Sequence, residues 1–363
     1  LEGLPPNCVG LEKGRCICDQ KINQTAVMSY PEESGFKEIR VPAEPEEPIL
    51  LAEVVEEPPG PERRLSRGIS ARQWIVAGLL FAATCLTTFL AGLTMAPESG
   101  QLLEHWLKGD TAPAELLWEL FQSAGSYAVA VMIILTLHEA GHYLQARRYG
   151  VRVSLPYFIP MPLTPIGTLG AVIAMDARVP NRKVLFDIGV TGPLAGLVPT
   201  LVCCVWGMQR ARYEPVGQDA MIFGDPLLFH WLAGWLLGPR PEGHEILLNP
   251  ILFAGWVGLL ITSLNLLPIG QLDGGHILYA LMGPKARGVA QWLLGAATGL
   301  VIYTIIRYHN PGWMLMVILL YLIGPGHPPT YQDHIGIGPF RKVLGWLMLG
   351  FIFLGLTPMP VIR

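Results

Sequence analysis

Charge is scarce in this chain. Asp, Glu, Lys and Arg make up 15% of 363 residues, against 51% hydrophobic residues, and mean hydropathy is positive. That balance excludes an ordinary pair of soluble domains of this length. Neither sign dominates, with 25 Lys and Arg against 28 Asp and Glu, so the basic footprint of a nucleic-acid binder is missing. Cysteine is thin as well. Cys8, Cys16 and Cys18 supply one thiolate too few for a four-ligand zinc knuckle, and Cys85, Cys203 and Cys204 sit in apolar runs as small hydrophobes, so no disulfide framework is implied. The early residues also lack the basic, short apolar and small-residue order of a secretory leader, and their acidity argues against an organellar transit peptide.

What the chain has instead is long uncharged runs. Trp74 to Pro97, Ile188 to Gln209, Ile246 to Leu272 and Val343 to Ile362 each approach or exceed the roughly 20 residues that span a bilayer. Tyr127 to Leu137 adds another, and the shorter Gly288 to Ile306 and Trp313 to Ile323 add one or two. The expected fold is an α-helical multi-pass integral membrane protein with about six or seven transmembrane helices, taken as seven, and a small membrane-associated β element. Fourteen of the Lys and Arg flanking these runs, Arg72, Arg147, Arg182 and Lys342 among them, fall on one side, against six, such as Lys108 and Arg210, on the other. The positive side is expected to be cytoplasmic, which puts the N-terminus there too.

Four regions follow. Residues 1–70 read as a disordered, acidic and proline-rich cytoplasmic tail, since 31–62 alone hold ten Glu and seven Pro. Within it the chain opens on Leu1, and Met28 is an alternative start that would make residues 1–27 an upstream artefact. Residues 71–124 form a first transmembrane helix and external loop, 125–285 a catalytic core, and 286–363 the C-terminal transmembrane helices.

The core carries the chemistry. His138-Glu139-Ala140-Gly141-His142 ends the apolar run from Tyr127. On a helix, histidines four apart share a face and can hold one zinc, and Glu139 can take a proton from an attacking water. Ionisable groups at membrane depth are costly and mark function. A catalytic zinc needs a third protein ligand, and Asp273 is the best candidate, at the end of Asn265-Leu-Leu-Pro268-Ile-Gly270-Gln-Leu-Asp273-Gly274-Gly275-His276. Pro268, Gly270, Gly274 and Gly275 break a regular helix there, which membranes tolerate only where protein buries the backbone or a watery cavity is lined. His276 reads as a packed histidine, and His105, His230, His244, His309, His327 and His334 as loop or interfacial residues.

These two motifs, in this order, resemble the site-2 protease family of intramembrane zinc metalloproteases. The similarity covers about Tyr127 to Gly283 and includes Phe186-Asp187-Ile188-Gly189-Val190-Thr191-Gly192-Pro193-Leu194-Ala195-Gly196. It implies one zinc per chain on His138, His142 and Asp273, with Glu139 as general base and then proton donor. It also implies that Asn265 contacts the substrate or the developing oxyanion, a helix cap being the plainer reading of that residue. Gly192 and Gly196, four apart, suit close helix packing around the site.

A peptide bond within a helix must be made extended before it can be cut. Pro156, Pro160, Pro162 and Pro165 followed by Gly167 to Met175 read as a loop and short strand, whose edge suits substrate by strand addition. An amphipathic re-entrant loop is the alternative. Residues 210–245 are too few for the peptide-binding domain some members insert, and Pro226 to Gly238, with Trp231 and Trp235, suit an interfacial or re-entrant helix. The expected function is cleavage of transmembrane protein substrates within the lipid bilayer, most simply in a bacterial plasma membrane. The competing readings are a catalytically idle chaperone or assembly factor, and a metal-ion transporter.

Overall fold

The computed structural model describes residues 8–12, 15–18, 69–96, 99–109, 113–175, 179–215 and 222–357. Leu1–Arg64 and Leu65–Arg363 are separate compact units. In the first, β1 (Cys8–Glu12) and β2 (Arg15–Cys18) form an antiparallel hairpin. The acidic stretch expected to be disordered lies outside the described residues.

The second unit begins with α1 (Ala71–Met95), nucleated by a capping box in which Ser70 accepts from the Gln73 amide and the Gln73 side chain accepts from the Ser70 amide. The short amphipathic α2 (Ser99–Lys108) leads to α3 (Ala114–Arg148), which at 35 residues is about 52 Å long and outruns the bilayer core. Next come β3 (Tyr157–Pro160) and β4 (Thr168–Val172), an antiparallel hairpin pairing Tyr157 with Val172 and Phe158 with Ala171. Helix α4 (Arg182–Met208) starts at Asn181, whose side chain accepts from the Val184 amide. Strand β5 (Tyr213–Pro215), helix α5 (Leu227–Leu236) and strand β6 (His244–Ile246) fill the next loop. Helix α6 (Pro250–Asn265) is capped by Asn249 with Pro250 in its first turn, and α7 (Asp273–Met282) follows a non-helical break. A 3-10 turn at Gly283–Lys285 joins α7 to α8 (Ala286–Tyr308). Helices α9 (Met314–Ile323), α10 (Pro339–Gly350) and α11 (Ile352–Gly355) complete the chain.

Packing is densest among α3, α4 and α6, with α1 against α3 and α7 against α4. Tyr127, Leu135, Leu185, Phe186, Leu252, Leu259 and Ile277 are almost wholly buried among them. The β3–β4 hairpin is tied to this centre: the Tyr127 hydroxyl donates to the Ile166 carbonyl at 2.7 Å, and Phe158 meets Phe81 of α1 edge to face at 5.1 Å. Elsewhere Trp74, Leu79, Val198, Ile306, Leu322 and Phe353 point outward. An apolar exterior of that extent is a lipid-facing surface.

The seven expected spans are not reproduced in number. Among the described residues, four stretches are long and apolar enough to cross a membrane: those of α1, α3 and α4, and Asp273–Tyr308. The run Ile246 to Leu272 yields only the 16-residue α6, because Asn249 and Pro250 start it late and Pro268 and Gly270 forbid its continuation. The run Val343 to Ile362 yields α10 and α11 as short pieces, and its last residues lie outside those described. Conversely, Gly288 to Ile306 belongs to a longer span than its apolar run suggested, because the 3-10 turn lets α7 pass into α8. Leu227–Leu236 is a short helix with Trp235 79% exposed, as an interfacial element requires.

Candidate metal centre

Helix α3 places His138 and His142 one turn apart with ring centroids 5.0 Å from each other. Nδ1 of His142 lies 2.8 Å from the Ile188 carbonyl, so that nitrogen donates and Nε2 is left bare to face inward. Nε2 of His138 and Nε2 of His142 are 3.2 Å apart. The Asp273 carboxylate reaches both, Oδ2 to His138 at 3.1 Å and Oδ1 to His142 at 3.2 Å. Asp273 opens α7, where a helix N-terminus favours a negative group.

This donor set fits a small tetrahedral cation. Ligand atoms about 2.0–2.1 Å from a zinc lie about 3.3 Å from one another in a tetrahedron. The two imidazole nitrogens are 3.2 Å apart and each lies 3.1–3.2 Å from one of the two Asp273 oxygens, and among the described residues these three form the one group of three His, Cys, Asp or Glu close enough to share an ion. Two imidazoles and one carboxylate leave a fourth position open, as a catalytic rather than a structural site does.

Close approach of α4 makes the geometry possible. A Cβ at Gly196 would lie 3.0 Å from the His138 Cβ, and one at Gly192 would overlap the His142 ring. Thr191 locks the same contact, its hydroxyl donating to the Gly141 carbonyl at 3.1 Å. Below it, Asp187 accepts two bonds from the Arg341 guanidinium, at 2.7 and 2.9 Å, and one from the Tyr149 hydroxyl at 2.5 Å. These bonds fix the first turn of α4, hence the Ile188 carbonyl that orients His142. The bond to Asp187 pushes the Tyr149 hydroxyl above its ordinary pKa, and Arg341 is likewise raised.

Glu139 is 4% exposed and faces the same small cavity of about 130 Å³ as the three ligands. Ala171 and Val172 of β4, Asn265, Gln271 and His276 also line it. Among the described residues no strand pairs with the second edge of β4. Asn265 ends α6 with its Nδ2 3.5 Å from His138 Nε2, beyond a good hydrogen bond but within reach of an atom in the cavity. A much larger groove of about 910 Å³ between α1 and α3 is lined by Phe81, Phe89, Phe121 and other apolar residues, with no carboxylate, histidine or basic group, so it is not the chemical site.

Two contributors were not legible in the sequence. Arg341 gave no local signal, and His327, read as a loop residue, is half-buried and sits 2.6 Å from His276. His327 Nδ1 donates to the Pro328 carbonyl, so in neutral rings its Nε2 accepts from His276 Nδ1. Only the fold brings these residues, 51 apart in the chain, into contact.

Comparison with known proteins agrees in place with this geometry. Residues 126–303 match the model of Peptidase family M50. The chain is 29% identical over 296 residues to the probable zinc metalloprotease EGY2, chloroplastic, of Arabidopsis thaliana, covering 79% of this chain and 49% of the relative. To EGY1 of the same plant it is 28% identical over 305 residues, covering 79% and 53%. To EGY2 of Oryza sativa subsp. indica it is 30% identical over 243 residues, covering 63% and 43%. The chain thus spans about half the length of the curated relatives it matches. No solved structure matches it.

Proposed function

We propose, from the premise that the chain belongs through residues 126–303 to peptidase family M50, the site-2 protease family, that it is a zinc endopeptidase cutting peptide bonds within transmembrane segments of other proteins. The observation that carries this reading is the convergence of His138, His142 and Asp273, from helices far apart in sequence, beside a buried carboxylate at Glu139. These three residues hold one zinc. When bound, zinc polarises a carbonyl and lowers the pKa of water toward about 7.

Glu139 accepts the proton released as water attacks the scissile carbonyl, then returns it to the departing nitrogen. Its burial keeps competing bulk water away and strengthens its electrostatic contacts. The Asn265 amide donates to the oxygen on which charge develops. The free edge of β4, whose Ala171 and Val172 line the cavity, holds the substrate extended by strand addition. The relatives' names carry zinc and metalloprotease, and this agrees with the donor set.

For the compartment we propose a bacterial plasma membrane with the N-terminal tail on the cytoplasmic side, the orientation being supported by the Lys and Arg asymmetry. The relatives are chloroplastic by name, so a plastid membrane is the competing home, and imaging of the tagged chain in its own cell separates the two.

The test is to measure zinc content and cleavage of a helix-destabilised transmembrane peptide for wild type, Glu139→Gln and Asp273→Ala. Expected are one zinc and cleavage in wild type, retained zinc with cleavage reduced about 10²–10⁴-fold in Glu139→Gln, and loss of both in Asp273→Ala. Wild type without zinc overturns the proposal. Zinc with metal flux across liposomes and no cleavage replaces it by transport.

A further inference from the structure

Beyond the metal cavity lies a second chamber of about 280 Å³. The two share Ile173, Met175, Gln271 and His276, so they adjoin one another. The lining of the second chamber is mixed, apolar at Met175, Val179 and Leu185 and polar at His276, His327 and Thr330. His327 and Thr330 come from the segment between α9 and α10, residues 324–338, which is held down at several points. The Tyr331 and Gln332 amides donate to the carbonyls of Val179 and Pro180 at 3.2 and 3.0 Å, in parallel alignment with Asn181. Asp333 accepts from the Thr330 and Tyr279 hydroxyls, each at 2.5 Å. His327 stacks on the Tyr279 ring at 4.5 Å while bonded to His276. The wall is therefore a fixed surface.

An extended substrate alternates its side chains between two faces at about 3.3 Å per residue. With its cut bond beside Glu139, a residue adjacent to that bond passes Ile173 and Met175, the common rim of both cavities. We infer that the second chamber is the pocket for that residue's side chain, and that it selects a bulky side chain with an apolar body and a polar tip, tyrosine above all. This rests on the protease reading. A cavity of about 150 Å³ holds a benzene ring, so 280 Å³ admits a large aromatic side chain. Burying the body against Met175, Val179 and Leu185 supplies affinity, and the hydroxyl donates to the Thr330 oxygen, which itself donates to Asp333 and would otherwise face an apolar side chain. Ala174, also on the chamber wall, leaves the room in which the ring lies.

The experiment uses the purified full chain and a single-span substrate whose cleaved bond is mapped by mass spectrometry. Each of the three residues on either side of that bond is then changed to Ala, Leu, Phe or Tyr. Wild type is expected to prefer Tyr over Ala about ten-fold at one position and to be nearly indifferent at the others. Ala174→Phe, which fills the chamber, is expected to bring that preference within two-fold. Thr330→Val is expected to keep the preference for bulk but to cleave Phe as fast as Tyr. Zinc content reports whether each variant is folded, and Thr330→Val decides alone if Ala174→Phe does not fold. An unchanged preference in a zinc-loaded variant, or no positional preference in wild type, overturns the inference while leaving the protease reading intact. No cleavage by wild type overturns both.

Discussion

Helices α1 and α3 are both long and apolar, yet they do opposite work. In its most apolar window α3 is 50% buried and α1 only 22%. Helix α3 packs against α4 and α6 and carries His138, Glu139 and His142, whereas α1 presents Trp74, Ile75 and Leu79 outward. Hydropathy reports that both leave water, and it does not report which neighbours they meet. In lipid there is little hydrophobic gain in moving a leucine from acyl chains to a protein neighbour, so the packed helices need small residues and polar contacts to associate. The inner pair has them: Gly192 and Gly196 against the histidines, Thr191 on the Gly141 carbonyl, and Asp187 with Arg341.

The largest effect that breaks this contrast is expected at Gly192. A leucine there would occupy the space of the His142 ring, so Gly192→Leu should lose zinc and cleavage together and lower stability by about 1–3 kcal/mol. Zinc content and thermal unfolding in detergent measure both. An intact zinc complement in that variant would mean that α4 does not press on α3 as described.

Next is the Asp187–Arg341 pair. Removing one partner of a buried pair costs about 3–5 kcal/mol, and the partial exposure of Arg341 reduces that to about 2 kcal/mol. Arg341→Met is therefore expected to lower the unfolding midpoint by several degrees and to weaken zinc retention against a chelator, since the Ile188 carbonyl loses its support. Arg341→Lys, with one donor point in place of a fork, should fall between.

A pH titration sharpens the comparison further. Burial holds His327 below the usual imidazole range. Its contribution to stability is therefore complete above the unfolded pKa of about 6.5 and is lost as pH falls through the lower folded value. Asp333 behaves in the same sense at lower pH. Burial alone pushes its carboxyl upward, but hydrogen bonds from Thr330 and Tyr279 outweigh that and hold it below the ordinary value. Unfolding midpoints taken from pH 7 down to pH 4.5 should decline, and more shallowly in His327→Ala than in wild type. Equal slopes would remove His327 as the cause.

The smallest effect belongs to the outer surface. Leu79→Ala on α1 should alter stability by no more than about 0.5 kcal/mol, because lipid replaces the lost methyl contacts. A loss of 2 kcal/mol would mean that this face is covered by protein.

Much of the site could be read before the fold was known, because metal ligation imposes local spacing. His138 and His142, four apart, fall on one face of a helix, a spacing that suits one ion, and Asp273 stands out as a carboxylate among apolar and backbone-breaking residues. The strand within Gly167 to Met175, observed at Thr168–Val172, was legible from prolines followed by a short apolar run. The span count was less legible: α6 is cut short by Asn249, Pro250 and Pro268, and α7 continues into α8 through a turn containing Pro284, where composition suggests an interruption.

By itself the sequence determined that the chain is apolar enough for a membrane, which five-residue motif brings two histidines to one face of a helix, and where the backbone must break ahead of Asp273. Those are local properties, set by hydropathy, helical period and the missing donors of proline. Tertiary structure decided the rest: that Gly192 and Gly196 make room for the histidine rings, that the Ile188 carbonyl sets the His142 tautomer, and that His327 and Arg341 from the C-terminal segment reach His276 and Asp187. Such contacts carry no periodicity, because residues 51 and 154 positions apart are brought together only when helices pack.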